Sequence, residues 1–256
     1  MTLESRIQDA LRHHAPRGRE TLKIGPLLAT FTRETDNPYL NYAIPDDGAS
    51  PTARDVAALV AAYRERERTP RLEYIPSIAP DVEAALRAAG FEEESRTPLM
   101  TCTLPRFEIP SGIELVAPRT EDDYRGAAQV QWEAYEEHAP LEQRAVDTLR
   151  QTAEGGGVVV LARDADNDEP AGAGLCVGPH DGVTELAAVG VRERFRRRGI
   201  AAAMTGWLTQ EAYARGMELV FLMAHGADEA RIYERVGFVE CGEVLHISLS
   251  EGRNRS

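Results

Sequence analysis

Residues 189–203 read VGVRERFRRRGIAAA: an apolar strand end, a turn crowded with arginine, one glycine, and a helix opening on Ala201, Ala202 and Ala203. Small side chains at Gly199 and Ala201 let a ligand approach the backbone, and the first N–H groups of a helix have no partner within it. Those donors point outward at the positive end of the helix dipole, so a diphosphate fits there. Arg196, Arg197 and Arg198 add fixed positive charge suited to bidentate contact with phosphate oxygens. Taken alone, the run is equally a solvated stretch of charge before a helix, because short motifs often match by chance. Its flanks decide between the two.

From Gly112 onward, short apolar runs alternate with helical stretches, the pattern of a mixed or parallel sheet covered by helices. A strand at Ile113–Val116 leads to a helix over about 120–138, where Thr120 and Asp123 form a capping-box pattern. A second helix is expected at 141–153, ended by Gly155-Gly156-Gly157. Strands follow at 158–162, 171–177 and 185–191, read as a meander. Beyond the arginine turn come a helix from about Gly199 to Gly216, a strand at 219–224, and a helix at 228–236 stopped by Gly237.

The first half repeats the end of this pattern 147 residues earlier. Gly90-Phe91 falls on Gly237-Phe238, Leu72–Ile75 on Leu219–Leu222, and the helix 82–89 on the helix before Gly237. The repeat rests on element order and glycine stops rather than on identities. At the same offset Arg196–Ala201 falls on Ala49–Arg54, which has no glycine, so the first half lacks the charged turn. Two related domains are expected, a degenerate one at 1–108 and an equipped one at 109–256, joined near Pro105–Pro110.

Composition narrows the function. The 256 residues, 43% hydrophobic and 28% charged, read as a soluble globular protein, and the net charge of −13 would repel a polyanion. Phe195 alone interleaves with the arginines, so no stacking platform for a nucleic acid is present, and none is expected as a partner. The first twenty residues lack the apolar core of a secretion signal and no run is long enough for a membrane span, so a cytoplasmic protein with no membrane partner is expected. Cys102, Cys176 and Cys241 are far apart with no CxxC pair, and read as buried free thiols. No metal is assigned.

Three segments in register, Val189-Gly190-Val191, Arg196-x-x-Gly199-x-Ala201 and IYERVGF at 232–238, resemble the GNAT superfamily of N-acetyltransferases. The resemblance covers 112–250 well and extends weakly through the repeat to the first half. It implies an α/β (α+β) chain of two tandem GNAT-like folds, each a mixed, mostly antiparallel sheet flanked by helices, with a V-shaped splay between two parallel strands. The degenerate fold would be 1–108 and the catalytic one 109–256.

The same resemblance implies acetyl-CoA as acyl donor. Its pantetheine arm would lie in the splay, along the backbone of Val189, Gly190 and Val191, as an added strand pairs with a sheet edge. Arg196, Arg197, Arg198, Gly199, Ile200, Ala201 and Ala202 would hold the diphosphate. Glu185 occupies the position of the catalytic glutamate in the histone-acetyltransferase branch, and Tyr233 that of the tyrosine that contacts the cofactor and protonates the departing thiolate. The Val191 amide would be the oxyanion donor. Glu185 reads otherwise as an exposed carboxylate at a strand start, and Tyr233 as a cover for the core. Gly226, with His225 beside it, stands where the family usually has asparagine.

An aromatic and acidic cluster of Trp132, Tyr135, Glu137, His138 and Glu142 would suit a small-molecule or peptide amine acceptor through cation–π and charge contacts. Trp132 and Tyr135 are equally one core face of a helix, being three residues apart. The function expected is transfer of an acetyl group to a primary amine by direct attack in a ternary complex. The alternative is an acyl-CoA-binding sensor or scaffold without turnover.

Overall fold

The structure, a computed structural model, describes residues 2–33, 35–134 and 140–250. It divides into two compact units. One combines the chain up to Leu99 with the segment from Cys241 onward, and the other spans Met100–Glu240. Among the described residues no helix is long and apolar enough to cross a membrane.

In the first unit α1 (Leu3–His14), capped by the Thr2 hydroxyl, precedes a hairpin of β1 (Glu20–Ile24) and β2 (Leu27–Phe31). β3 (Ala43–Pro45) runs antiparallel to β2, and β4 (Arg71–Tyr74) parallel to β3. α2 (Ala53–Arg64) makes the crossover that a parallel pair requires. α3 (Pro80–Ala88) and β5 (Glu92–Thr101) follow. The core gathers Ile7, Leu27, Leu59, Tyr63, Leu72 and Leu86, all buried, with the Phe31 and Tyr63 rings 4.7 Å apart.

The second unit opens with β6 (Ile113–Val116), α4 (Glu121–Ala134) and α5 (Gln143–Glu154). β7 (Val158–Asp164), β8 (Pro170–Cys176) and β9 (Val183–Val191) then extend β6 into an antiparallel meander. α6 (Ile200–Ala214) returns the chain to β10 (Leu219–Met223), parallel to β9, and α7 (Ala227–Val236) follows. Side chains alternate faces along a strand. Val158 and Val160 therefore pack with Ile200, Met204 and Leu208 of α6, whereas Val159 and Leu161 pack with Tyr124, Ala127 and Val130 of α4. The last strand is β11 (Val239–Ser248).

The repeat is carried by element boundaries. Ala53 and Ile200, Pro80 and Ala227, and Glu92 and Val239 open equivalent elements, and each pair stands 147 residues apart. The helix starts differ in chemistry. Thr52 caps α2 and Asp55 closes a capping box: the Asp55 N–H donates to Thr52 Oγ1 at 3.2 Å, and the Thr52 N–H donates to Asp55 Oδ2 at 2.8 Å. A carboxylate thus occupies the helix end where an anion would bind. This is the physical content of the missing charged turn.

The division differs from a boundary at 108/109, since the second unit already begins at Met100 and the first takes up the segment from Cys241. β11 pairs antiparallel with β4, from Leu245↔Tyr74 to Ser248↔Arg71, and so belongs with the first unit. The stretch Pro105–Pro110, expected to join the two domains, lies within the second unit and is packed there. The Phe107 ring fills the notch left by Gly206, where a Cβ would come within 2.3 Å of it, and the Arg106 N–H donates to Val236 O at 2.7 Å.

Candidate functional site

The site begins where two parallel strands part. β9 and β10 pair at Leu219↔Val183, Val220↔Thr184 and Phe221↔Glu185, and beyond that rung they no longer pair with each other. A bulge in β9 accompanies the parting. Ala173 faces Gly190 and Leu175 faces Ala187, so Ala188 and Val189 together oppose Gly174. Ala188 takes φ +54°, and the Gln131 side-chain amide donates to its carbonyl at 2.9 Å. Gly174 is small for a reason: a Cβ there would stand 3.2 Å from Val189 Cγ2.

Past Val191 a 3₁₀ turn (Glu193–Phe195) buries the Phe195 ring, and the Arg196 N–H closes on Glu193 O at 3.1 Å. Arg197 (φ +65°) and Gly199 (φ +82°) then bend the chain through left-handed conformations. For an L-residue such as Arg197 this costs about 1–2 kcal/mol. Gly199 is the N-cap of α6 and no side chain caps that helix. The first amide to find its partner is Ala203, bonded to Gly199 O at 3.0 Å. The N–H groups of Ile200, Ala201 and Ala202 therefore lack an acceptor within the helix.

They face a cavity of about 380 Å³ lined by Val191, Phe195, Arg196, Arg197, Gly199, Ile200, Ala201 and Ala202, with Ile232 and Arg235 of α7 forming the remaining wall. The neighbouring arginines are engaged. Arg192 is held by Glu133 at 2.7 Å, Arg194 by Glu169, and Arg231 by Asp228 at 3.0 Å. Burial pushes the Glu133 carboxyl up, but hydrogen bonds from Arg192 and Gln129 and the Arg192 charge outweigh it and hold it below the usual carboxylate range. Arg196 Nε donates to Val191 O at 3.1 Å. Arg197 and Arg235 meet no carboxylate among the described residues, and the cavity lining contains none.

The other expected site residues are distributed as follows. Arg198 lies over the Phe195 ring at 5.5 Å and does not line the cavity. Val189 packs against the core beneath α6, and Gly190 backs onto α4, where a Cβ would come within 2.7 Å of Ala134 Cβ. Glu185, half-buried, stands at the last paired rung of the splay, and its carbonyl accepts from the Val177 N–H at 2.9 Å. Tyr233 is half-buried on α7, its ring 6.1 Å from that of Phe238, and is not among the cavity-lining residues. Trp132 is half-buried near the end of α4, whereas Tyr135, Glu137 and His138 lie outside the described residues.

Gly226 takes φ +108° and ψ 163°, a backbone region essentially restricted to glycine, so an asparagine would be strained there. Cys102 and Cys176 are buried free thiols and Cys241 is partly buried. Burial pushes the Cys176 thiol far up, against a pull from Arg215 and with a smaller push from Glu185, so it stays protonated and unreactive. Ile232 and Arg235 escaped the sequence reading. The signal was their spacing: Ala230, Tyr233 and Val236 pack on the core, and Ile232 and Arg235, three residues apart, lie off that row and line the cavity.

Residues 119–238 match the family model described as "Acetyltransferase (GNAT) family". No curated protein matches the sequence significantly. Among solved structures, the chain is similar to a GCN5-related N-acetyltransferase from Kribbella flavida, with TM-score 0.80 and 25% identity over 99% of this chain and 98% of that one. It is also similar to a GCN5-related N-acetyltransferase from Sphaerobacter thermophilus (TM-score 0.64, 18% identity, 88% and 76% covered). A tandem GNAT protein from the clavulanic acid biosynthesis pathway matches with TM-score 0.63 and 14% identity over 95% and 87%. The last two comparisons speak to fold alone. The second unit thus carries the match to the acetyltransferase (GNAT) family, and the chain shares its fold with GCN5-related N-acetyltransferases and with a tandem GNAT protein.

Proposed function

We propose that this chain is an acetyl-CoA-dependent N-acetyltransferase that acetylates a primary amine by direct attack in a ternary complex. The observation that carries the reading is the uncapped start of α6, opening with Arg197 and Arg235 into a cavity that has no carboxylate in its lining. That donor set suits a diphosphate and needs no metal to hold it. Val191, at the end of the splayed strand, is shared between this cavity and the sheet edge that would receive the pantetheine arm.

When bound, acetyl-CoA supplies an activated acyl carbon as a thioester. A primary ammonium is neutral in only about one molecule in two thousand at pH 7, and only the neutral amine attacks. Glu185, at the apex of the splay, accepts that proton directly or through a water. The Val191 amide donates to the developing oxyanion as the N–C bond forms. Tyr233, on the helix that lends Ile232 and Arg235 to the cavity wall, gives its hydroxyl proton to the sulfur as the C–S bond breaks. Trp132, Tyr135 and His138 remain the proposed acceptor side.

The test is calorimetric titration of acetyl-CoA into wild type and Gly199→Trp, with circular dichroism confirming that the variant is folded. Binding lost only in the variant supports the cofactor site, and thiol release with a panel of amines then separates an enzyme from a sensor. Absence of binding by wild type would sink both readings.

A further inference from the structure

We infer that Arg235 is a specificity-determining residue that takes the 3′-phosphate of the coenzyme, so that the site distinguishes acetyl-CoA from acetyl-3′-dephospho-CoA; this rests on the acetyl-CoA reading above. The argument starts from α7. Ala230, Tyr233 and Val236 pack on the core, whereas Asp228, Arg231, Ile232 and Arg235 share the other side of the helix, where Asp228 pairs with Arg231 and Ile232 and Arg235 line the cavity. Arg235 is thus a cation delivered by α7 to the same cavity as the helix start that would hold the diphosphate.

Charge supports a dedicated partner. In a chain of net charge −13, Arg192, Arg194 and Arg231 near the site each hold a carboxylate, whereas Arg235 meets none among the described residues. Coenzyme A carries three phosphates. Two form the diphosphate, for which the Ile200, Ala201 and Ala202 amides and Arg197 already provide donors. The third is a monoester of charge about −1.5 to −2 at pH 7, the most demanding of the three for a cation. A planar guanidinium in the same cavity suits it, with two parallel donors for two of its oxygens.

The experiment titrates acetyl-CoA and acetyl-3′-dephospho-CoA into wild type, Arg235→Gln, Arg197→Gln and Arg231→Gln. Wild type is expected to prefer acetyl-CoA by about tenfold, the scale of one exposed charge-assisted contact. Arg235→Gln should erase that preference by weakening acetyl-CoA alone, Arg197→Gln should weaken both compounds alike, and Arg231→Gln should change neither. Arg235→Lys should restore part of the preference, and high salt should shrink it in wild type. Equal affinities in wild type, or an undiminished preference in Arg235→Gln, would overturn this inference while leaving the cofactor site intact. Failure of wild type to bind either compound would overturn the cofactor site and this inference together.

Discussion

Gln131 and Ala188 are joined across two elements of the second unit: the side-chain amide of the helix residue donates at 2.9 Å to the carbonyl of a strand residue held at φ +54°. The bond fixes the bulge from which β9 continues away from β10. Gln131→Leu removes the donor, and loss of one such hydrogen bond costs about 1 kcal/mol in denaturant titrations. The stronger expectation concerns function: the KM for acetyl-CoA rises several-fold while kcat changes less. Gln131→Glu, which offers no donor when ionised, should behave at least as badly. Unchanged KM in both variants would reduce Gln131 to a packing residue.

Glu185 stands at the last paired rung before the splay. If it is the general base, Glu185→Gln lowers kcat by about 10²–10⁴-fold, the usual worth of such a group. The affinity for acetyl-CoA, measured by calorimetry, should stay within a factor of about two, because the proposed diphosphate contacts lie elsewhere. A variant with near-normal turnover would move the base to another residue.

Arg71 is fully buried in the first unit, with Nε 2.9 Å from Glu94, Nη1 3.1 Å from Glu73 and Nη2 2.8 Å from His246 Nδ1. Breaking such a cluster strands a buried charge, so Arg71→Leu should destabilise the first unit by about 3–5 kcal/mol. Acid gives a second readout. Burial raises the Glu73 carboxyl, but His246 and Arg71 outweigh it and hold its pKa below the ordinary value of 4.5. A group lowered on folding stabilises above its unfolded pKa and loses that contribution as the pH falls through the folded one. The melting temperature should therefore drop steeply below about pH 4.5, and Glu73→Gln should flatten that slope.

The capped start of α2 makes a separate claim. Thr52→Ala should cost about 1 kcal/mol, as loss of an N-cap does, and leave acetyl-CoA binding untouched. With Asp55 occupying that helix end, the binding stoichiometry should be one per chain. A second site abolished by a substitution in α2 would contradict this.

Much of this architecture was readable because its signals are local. The strand at Ile113–Val116 is observed with the bounds its alternation implies, and the glycine stops at Gly216 and Gly237 end helices as expected. The 147-residue offset was visible from Gly90 and Gly237 because both follow a helix and precede a phenylalanine that leads into a strand. The same regularity concealed where the last strand goes: β5 and β11 carry one pattern, and pattern alone does not say which neighbour a strand joins. The bulge left no mark, since Ala188 is flanked by Ala187 and Val189 with no glycine to announce a positive φ. Arg235 was illegible for a related reason: an arginine in a helix has the same one-dimensional surroundings whether it faces solvent or a cavity.

The pairing of β11 with β4 gives the chain an unusual order of completion. On a ribosome Tyr74 emerges well before its partner Leu245, which follows 171 residues later. The exposed edge of β4 must survive that interval without recruiting another chain. The later-made unit, whose strand ladder β6 to β10 and helices lie within Met100–Glu240, needs no such delay. The unit whose strands begin earlier is the one completed later.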